Sequence, residues 1–161
     1  MSRPDARSRF IADLHAEVTA FSAFVELLRT EQAALEARDF DAVVQLSQVK
    51  PERIAALNEL AFRRGTFLTA HSFAPDRNGM AQWLLAYGGA VQAELSRLWK
   101  GLLDLAAEAQ AINRENGILI ETRLQHNQRL LAALASGSQP ALYGPDGQTR
   151  VVGSGRDLGS V

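Results

Sequence analysis

The chain has 161 residues, the length of a single domain, and its 17 basic and 18 acidic residues leave a formal charge of −1 with histidine neutral. This balance provides little long-range field to attract nucleic acid or anionic lipid, and the lack of cysteine excludes disulfides, thiolate metal sites and a cysteine nucleophile. Alanine and leucine, both strong helix formers, supply 26 and 22 residues, so the composition predicts an all-α protein.

The first two predicted helices cover residues 6–37 and 40–71. In the first, apolar side chains recur at steps of three and four from Leu14 to Leu35, with one gap at Gln32, which is a heptad seam. In the second, Asp39 has the position and chemistry of an N-cap. Pro51 lacks an amide donor and crowds the preceding turn, so we expect a kink there, with the apolar period resuming unshifted beyond it.

Two further helices follow a turn over residues 72–79. The third covers 79–87 and ends at Gly88 and Gly89, whose pairing predicts a flexible joint. The fourth covers 90–135 and carries apolar residues in four-three steps. A helix of that length spans roughly 60 Å. The pattern therefore predicts an elongated antiparallel helical bundle or coiled-coil hairpin as the body, residues 1–135.

The last 26 residues, 136–161, differ in composition from this body. They hold six of the twelve glycines together with two prolines, and few large apolar side chains. Such a segment buries too little surface to offset its ordering entropy. We expect a flexible tail.

The sequence offers no pattern for catalysis. It has no glycine-rich phosphate loop and no nucleophile or metalloprotease motif, and its three histidines are far apart, so we expect solvated or capping histidines, no metal and no cofactor. The basic start lacks an apolar core, and the uncharged stretch 80–93 is too short to span a bilayer, so we expect a cytoplasmic protein without a signal peptide.

The charged residues are interleaved by sign, which predicts solvated helix faces joined by pairs three and four residues apart. Trp83 and Trp99 fall on apolar faces, which predicts core or interface anchors. Asn116 lies on the long seam, where an apolar residue would pack better. We interpret it as fixing helix register; the alternative is that Asn113, Asn116 and Gly117 mark a place where the bundle opens to a partner.

Three runs of sequence resemble the FlgN-type flagellar export chaperones. They are residues 28–41 with the following Leu46 and Lys50, residues 113–120, and residues 142–147. The resemblance implies a non-enzymatic chaperone that binds the two hook–filament junction proteins, prevents their premature association and delivers them to the flagellar type III export gate. It also implies that the C-terminal segment captures the substrate and that Tyr143 docks on the export-gate membrane protein.

Within that resemblance, two modes of capture remain open. An extended tail would use apolar anchors, whereas helix-in-groove capture would use the end of the long helix. The candidate anchors are Leu142, Val151, Val152 and Leu158 in the tail and Leu131 and Leu134 on the helix. Two other functions also remain open: a structural coiled coil that self-associates through the long helix, and a bundle that binds a small ligand near a tryptophan. The oligomeric state is open as well.

Overall fold

The computed structural model describes residues 5–137. It contains four helices, α1 (Ala6–Ala37), α2 (Phe40–Ala70), α3 (Arg77–Tyr87) and α4 (Gln92–Gly137), with one 3₁₀ turn at Gly89–Val91 before α4. No strand occurs among the described residues. The expected all-α fold with hairpin-like helix packing is confirmed. The predicted tail, 136–161, lies outside the described residues apart from its first two.

Aspartate side chains begin three of the helices. Asp5, Asp39 and Asp76 each accept a hydrogen bond from the backbone N–H three residues later, which satisfies a donor that the helix itself leaves unpaired. The predicted cap at Asp39 is thereby confirmed. The N–H of Ser8 also lowers the pKa of Asp5, because that bond favours the carboxylate.

The helix ends differ from the predicted ones where local chemistry intervenes. Because Asp76 caps α3, this helix begins at Arg77, two residues before the predicted start. Gly89 adopts a positive φ of 57°, which inserts the 3₁₀ turn and delays α4 to Gln92.

The helix α2 continues through Pro51, whose missing N–H leaves the carbonyl of Ser47 without its helical donor.

Backbone contacts divide the chain into two units after Gly117. In the first, α1 and α2 form an antiparallel hairpin. Its direction is shown by two ion pairs, Glu17 with Arg64 and Glu31 with Lys50. The first part of α4 runs in the same direction as α1. Its buried side chains join those of α1, α2 and α3 in two apolar clusters, which include Phe10, Leu14, Leu68, Met80, Trp83, Leu95, Trp99 and Leu102 in one and Phe24, Val25, Leu28, Leu57 and Ala109 in the other.

The second unit begins at Ile118, and its described part, up to residue 137, is the remaining length of α4. Its leucines and isoleucines are mostly exposed, in contrast to the apolar residues of α4 before Asn116. Both lengths of helix carry the same kind of apolar period. Among residues 5–137, only the first length contributes buried side chains to an apolar cluster.

Candidate partner-binding surface

A buried polar cluster joins three helices around Glu31. Asn116 is 1% exposed, and its Nδ2 donates to the backbone oxygen of Leu28 at 2.9 Å and to Oε2 of Glu31 at 2.8 Å. Lys50 Nζ donates to the two carboxylate oxygens of Glu31 at 3.2 and 2.9 Å. One carboxylate of α1 therefore bonds both to α2 and to α4. This geometry supports the interpretation of Asn116 as a register residue, which stays a prediction.

A second buried carboxylate lies two heptads earlier on α1. Glu17 is 1% exposed and accepts from Nε and Nη2 of Arg64 at 2.9 and 3.1 Å, a bidentate pairing. The guanidinium of Arg64 stacks on the ring of Trp99 of α4, 4.9 Å from its centre. Here too, α1, α2 and α4 meet at one ion pair.

The expectation that the charged residues form solvated faces is wrong for these two glutamates. A buried charge is costly unless it is paired and hydrogen-bonded, and both glutamates meet that condition. Their spacing in the sequence is the signal that could have identified them as buried. Glu17 and Glu31 occupy a three-four register shared with buried or half-buried apolar residues of α1, namely Leu14, Phe21, Phe24, Leu28 and Leu35.

Exposed polar contacts at the edge of the hairpin add to the docking of α4 on α1. Arg29 donates to Glu26 and to Glu108, and Gln32 donates to Glu115 at 3.1 Å. The hydrogen bond to Glu108 and its negative charge raise the pKa of Arg29. Exposed pairs of this kind contribute little individually, so the buried contacts dominate the attachment.

Beyond Gly117, α4 exposes a series of large apolar side chains. Leu131 and Leu134, the predicted helical anchors for a substrate protein, are 66% and 71% exposed. Ile118, Ile120, Leu124 and Leu130 are also exposed, by 44–58%. This much exposed apolar surface on one amphipathic helix is typical of a surface that binds a partner protein. The role of Leu131 and Leu134 remains a prediction.

The other predicted partner contacts lie outside the described residues. These are the tail anchors Leu142, Val151, Val152 and Leu158 and the docking residue Tyr143. The structure therefore neither joins them to the face of α4 nor separates them from it. Their assignment continues to depend on the resemblance.

Of the remaining candidate residues, the two tryptophans lie in the core and the three histidines are exposed. Trp83 and Trp99 are 2% and 8% exposed in the first apolar cluster, which confirms their interpretation as core anchors. His71 lies at the C-terminal end of α2, with Nδ1 2.8 Å from the backbone oxygen of Phe67, while His15 and His126 are exposed. Within residues 5–137, no group of three potential metal ligands is present, and no helix is long and apolar enough to cross a membrane.

Comparison with known proteins identifies the family of this chain. Residues 1–150 match the FlgN protein family. This chain belongs to the FlgN family. Leu28, Glu31, Lys50 and Asn116, which bond to one another in the structure, all lie in the runs that carried the resemblance. In this FlgN family member, the first two of those runs therefore meet where α4 joins the hairpin, while residues 142–147 lie outside the described residues.

The relatives of this FlgN family member include flagella synthesis proteins of several bacteria. The flagella synthesis protein FlgN of Proteus mirabilis is 27% identical over 148 residues, which cover 90% of this chain and 93% of that protein. The FlgN of Salmonella typhimurium is 33% identical over 58 residues, 36% of this chain and 41% of that protein. The FlgN of Yersinia enterocolitica is 36% identical over 56 residues, 35% and 38% of the two chains. No solved structure matches.

Proposed function

We propose that this chain is a cytoplasmic type III export chaperone that binds hook–filament junction proteins, prevents their premature association and delivers them to the flagellar export gate. Its membership of a family of flagella synthesis proteins supports a role in flagellum assembly. The observation that carries the finer assignment is the uncovered leucine face of α4 beyond Gly117, because a carrier without chemistry of its own needs an apolar surface for its cargo.

The energetics of this face suit reversible binding. Each large apolar side chain that becomes covered contributes about 1.5–3 kcal/mol before the cost of ordering the partner. Leu131 and Leu134, one helical turn apart, present a compact pair of such side chains. In this proposal the tail residues Leu142, Val151, Val152 and Leu158 extend the contact, and Tyr143 docks on the cytoplasmic part of the export gate. The composition of the tail predicts that it orders only on binding, which would lower the affinity per unit area and ease release.

The test is co-purification of the tagged full-length chain from its source bacterium, followed by identification of what elutes with it. We expect hook–filament junction proteins in the eluate. The variant Leu131→Asp with Leu134→Asp should lose them, because a buried carboxylate opposes docking. As a control, Leu85→Asp changes a leucine of α3 that is 74% exposed, and it should retain them. An eluate without any flagellar protein would refute the proposal.

A second candidate is a structural coiled coil that self-associates through α4. It is favoured by the four-three spacing of Ile120, Leu124, Leu131 and Leu134, with Asn127 at the intermediate step. A single polar residue at such a step is typical of coiled coils with a fixed register. In that case the double aspartate variant would lose self-association, and no flagellar protein would co-purify with the chain.

A further inference from the structure

An exposed phenylalanine stands on the outward face of α2, within the first unit of the chain. Phe62 is 70% exposed, and the backbone around it is bordered by two hollows. One hollow, of about 610 Å³, lies between α1 and α2 and includes Phe67 and His71. The other, of about 630 Å³, includes Gly65 and Pro75. The surface therefore combines a protruding aromatic ring with space beside it.

Two opposite charges lie on the same side of α2 as the first hollow. Glu59 and Arg63 are 62% and 49% exposed in their side chains and contact each other at 3.3 Å, and Arg63 also contacts Asp13 at 3.0 Å. They are separated by one helical turn. If α2 packs antiparallel against a copy of itself with the two-fold axis at the level of Ala61, each Glu59 faces the partner's Arg63.

The same axis brings the two phenylalanines together. Phe62 is one residue beyond Ala61, so a rise of 1.5 Å per residue separates the two rings by only about 3 Å along the helices. Paired aromatic rings in this arrangement contribute beyond their buried area. The axis that pairs the charges therefore also brings the two exposed aromatic rings to nearly the same level, so both features are compatible with one two-fold arrangement.

We propose that the outward face of α2 around Phe62 is a homodimer interface with two-fold symmetry, with Glu59 and Arg63 forming reciprocal ion pairs. The charge pattern is complementary to itself only in the antiparallel arrangement, which sets the orientation of the two copies. The net charge of −1 means that two copies repel each other weakly. Since one helix face is small for an interface, the dimer is weak and exchanges with the monomer.

The first test is sedimentation equilibrium of the purified full-length chain from micromolar to near-millimolar concentration. We expect a monomer–dimer equilibrium that Phe62→Glu weakens at least about tenfold. Leu85→Glu, at a comparably exposed leucine of α3, is the matched control and should leave the equilibrium unchanged. Because Phe62 is exposed, the variant should fold, which circular dichroism verifies.

The second test uses the charges. Glu59→Arg gives a chain with two arginines at these positions and Arg63→Glu gives a chain with two glutamates, so each variant alone should dimerise more weakly than the wild type. A mixture of the two should form a heterodimer, because each arginine then faces a glutamate. A structural defect at either residue would not be repaired by mixing.

Three results would overturn the proposal. One is a monomer at every concentration. Another is a dimer that Leu131→Asp with Leu134→Asp abolishes and Phe62→Glu leaves intact, which would place self-association on α4. The third is a wild-type monomer whose binding to a flagellar protein is lost with Phe62→Glu, which would assign this face to a different partner.

Discussion

The buried pair of Glu17 and Arg64 gives the sharpest test of how the hairpin is held together. In Arg64→Met the apolar stem remains, but the carboxylate of Glu17, whose side chain is 2% exposed, loses both bonds from its cation. Removal of one member of a buried pair costs about 3–5 kcal/mol, because an uncompensated charge stays buried. The arginine also leaves the face of Trp99, which adds to the loss.

The matched control is Arg29→Met. Arg29 also contacts two carboxylates, but its side chain is 52% exposed, so its loss should cost far less stability than the loss of Arg64. In the double variant Glu17→Met with Arg64→Met, most of the stability should return, because two apolar side chains replace the charges. Urea unfolding followed by circular dichroism measures all three. Equal losses for Arg64→Met and Arg29→Met would refute the reasoning, as would a double variant no more stable than Arg64→Met.

Three further changes test other parts of the chain. Asn116→Ala should cost about 1–3 kcal/mol, because a buried carbonyl and carboxylate lose a donor, whereas the exposed Asn113→Ala should cost little. Gly79→Ala should cost about 1–3 kcal/mol, because the added Cβ would lie 1.8 Å from a backbone oxygen, whereas Gly101→Ala meets nothing within 4 Å and should stabilise α4 by up to about 1 kcal/mol. Deletion of residues 136–161 should leave helicity and melting nearly unchanged but abolish binding of a junction protein.

Urea unfolding decides the first two of these and a binding assay with thermal melting decides the third. Equal costs for the two asparagines would contradict the register role of Asn116. A Gly79→Ala protein with the same free energy of unfolding as the wild type would contradict the close approach at the start of α3. A truncated chain that still binds would refute capture by the tail.

The positions of the helices could be predicted because the sequence signals that set them are local. Apolar spacing, the aspartate caps and the glycine pair act within one or two turns, and the helices lie within a few residues of their predicted positions. Trp83 and Trp99 were predictable for the same reason, since each belongs to a continuous apolar face. The shifted starts of α3 and α4 depend on cap and backbone details that a period cannot resolve.

The buried charges were not predictable from composition, because their partners lie on other helices. Glu31 is separated by 19 residues from Lys50 and by 85 from Asn116, and no local pattern reports such pairings. In the same way, the apolar period of α4 continues past Gly117 although burial does not. Periodicity shows which face of a helix is apolar, but it does not show whether anything covers that face.

The most direct test of the proposed function is a calorimetric titration of the purified full-length chain with a hook–filament junction protein from the same bacterium. The proposal predicts saturable binding for the wild type and for the control Leu85→Asp, and binding at least about tenfold weaker for Leu131→Asp with Leu134→Asp. No binding by the wild type, or equal binding by the double variant, would contradict it.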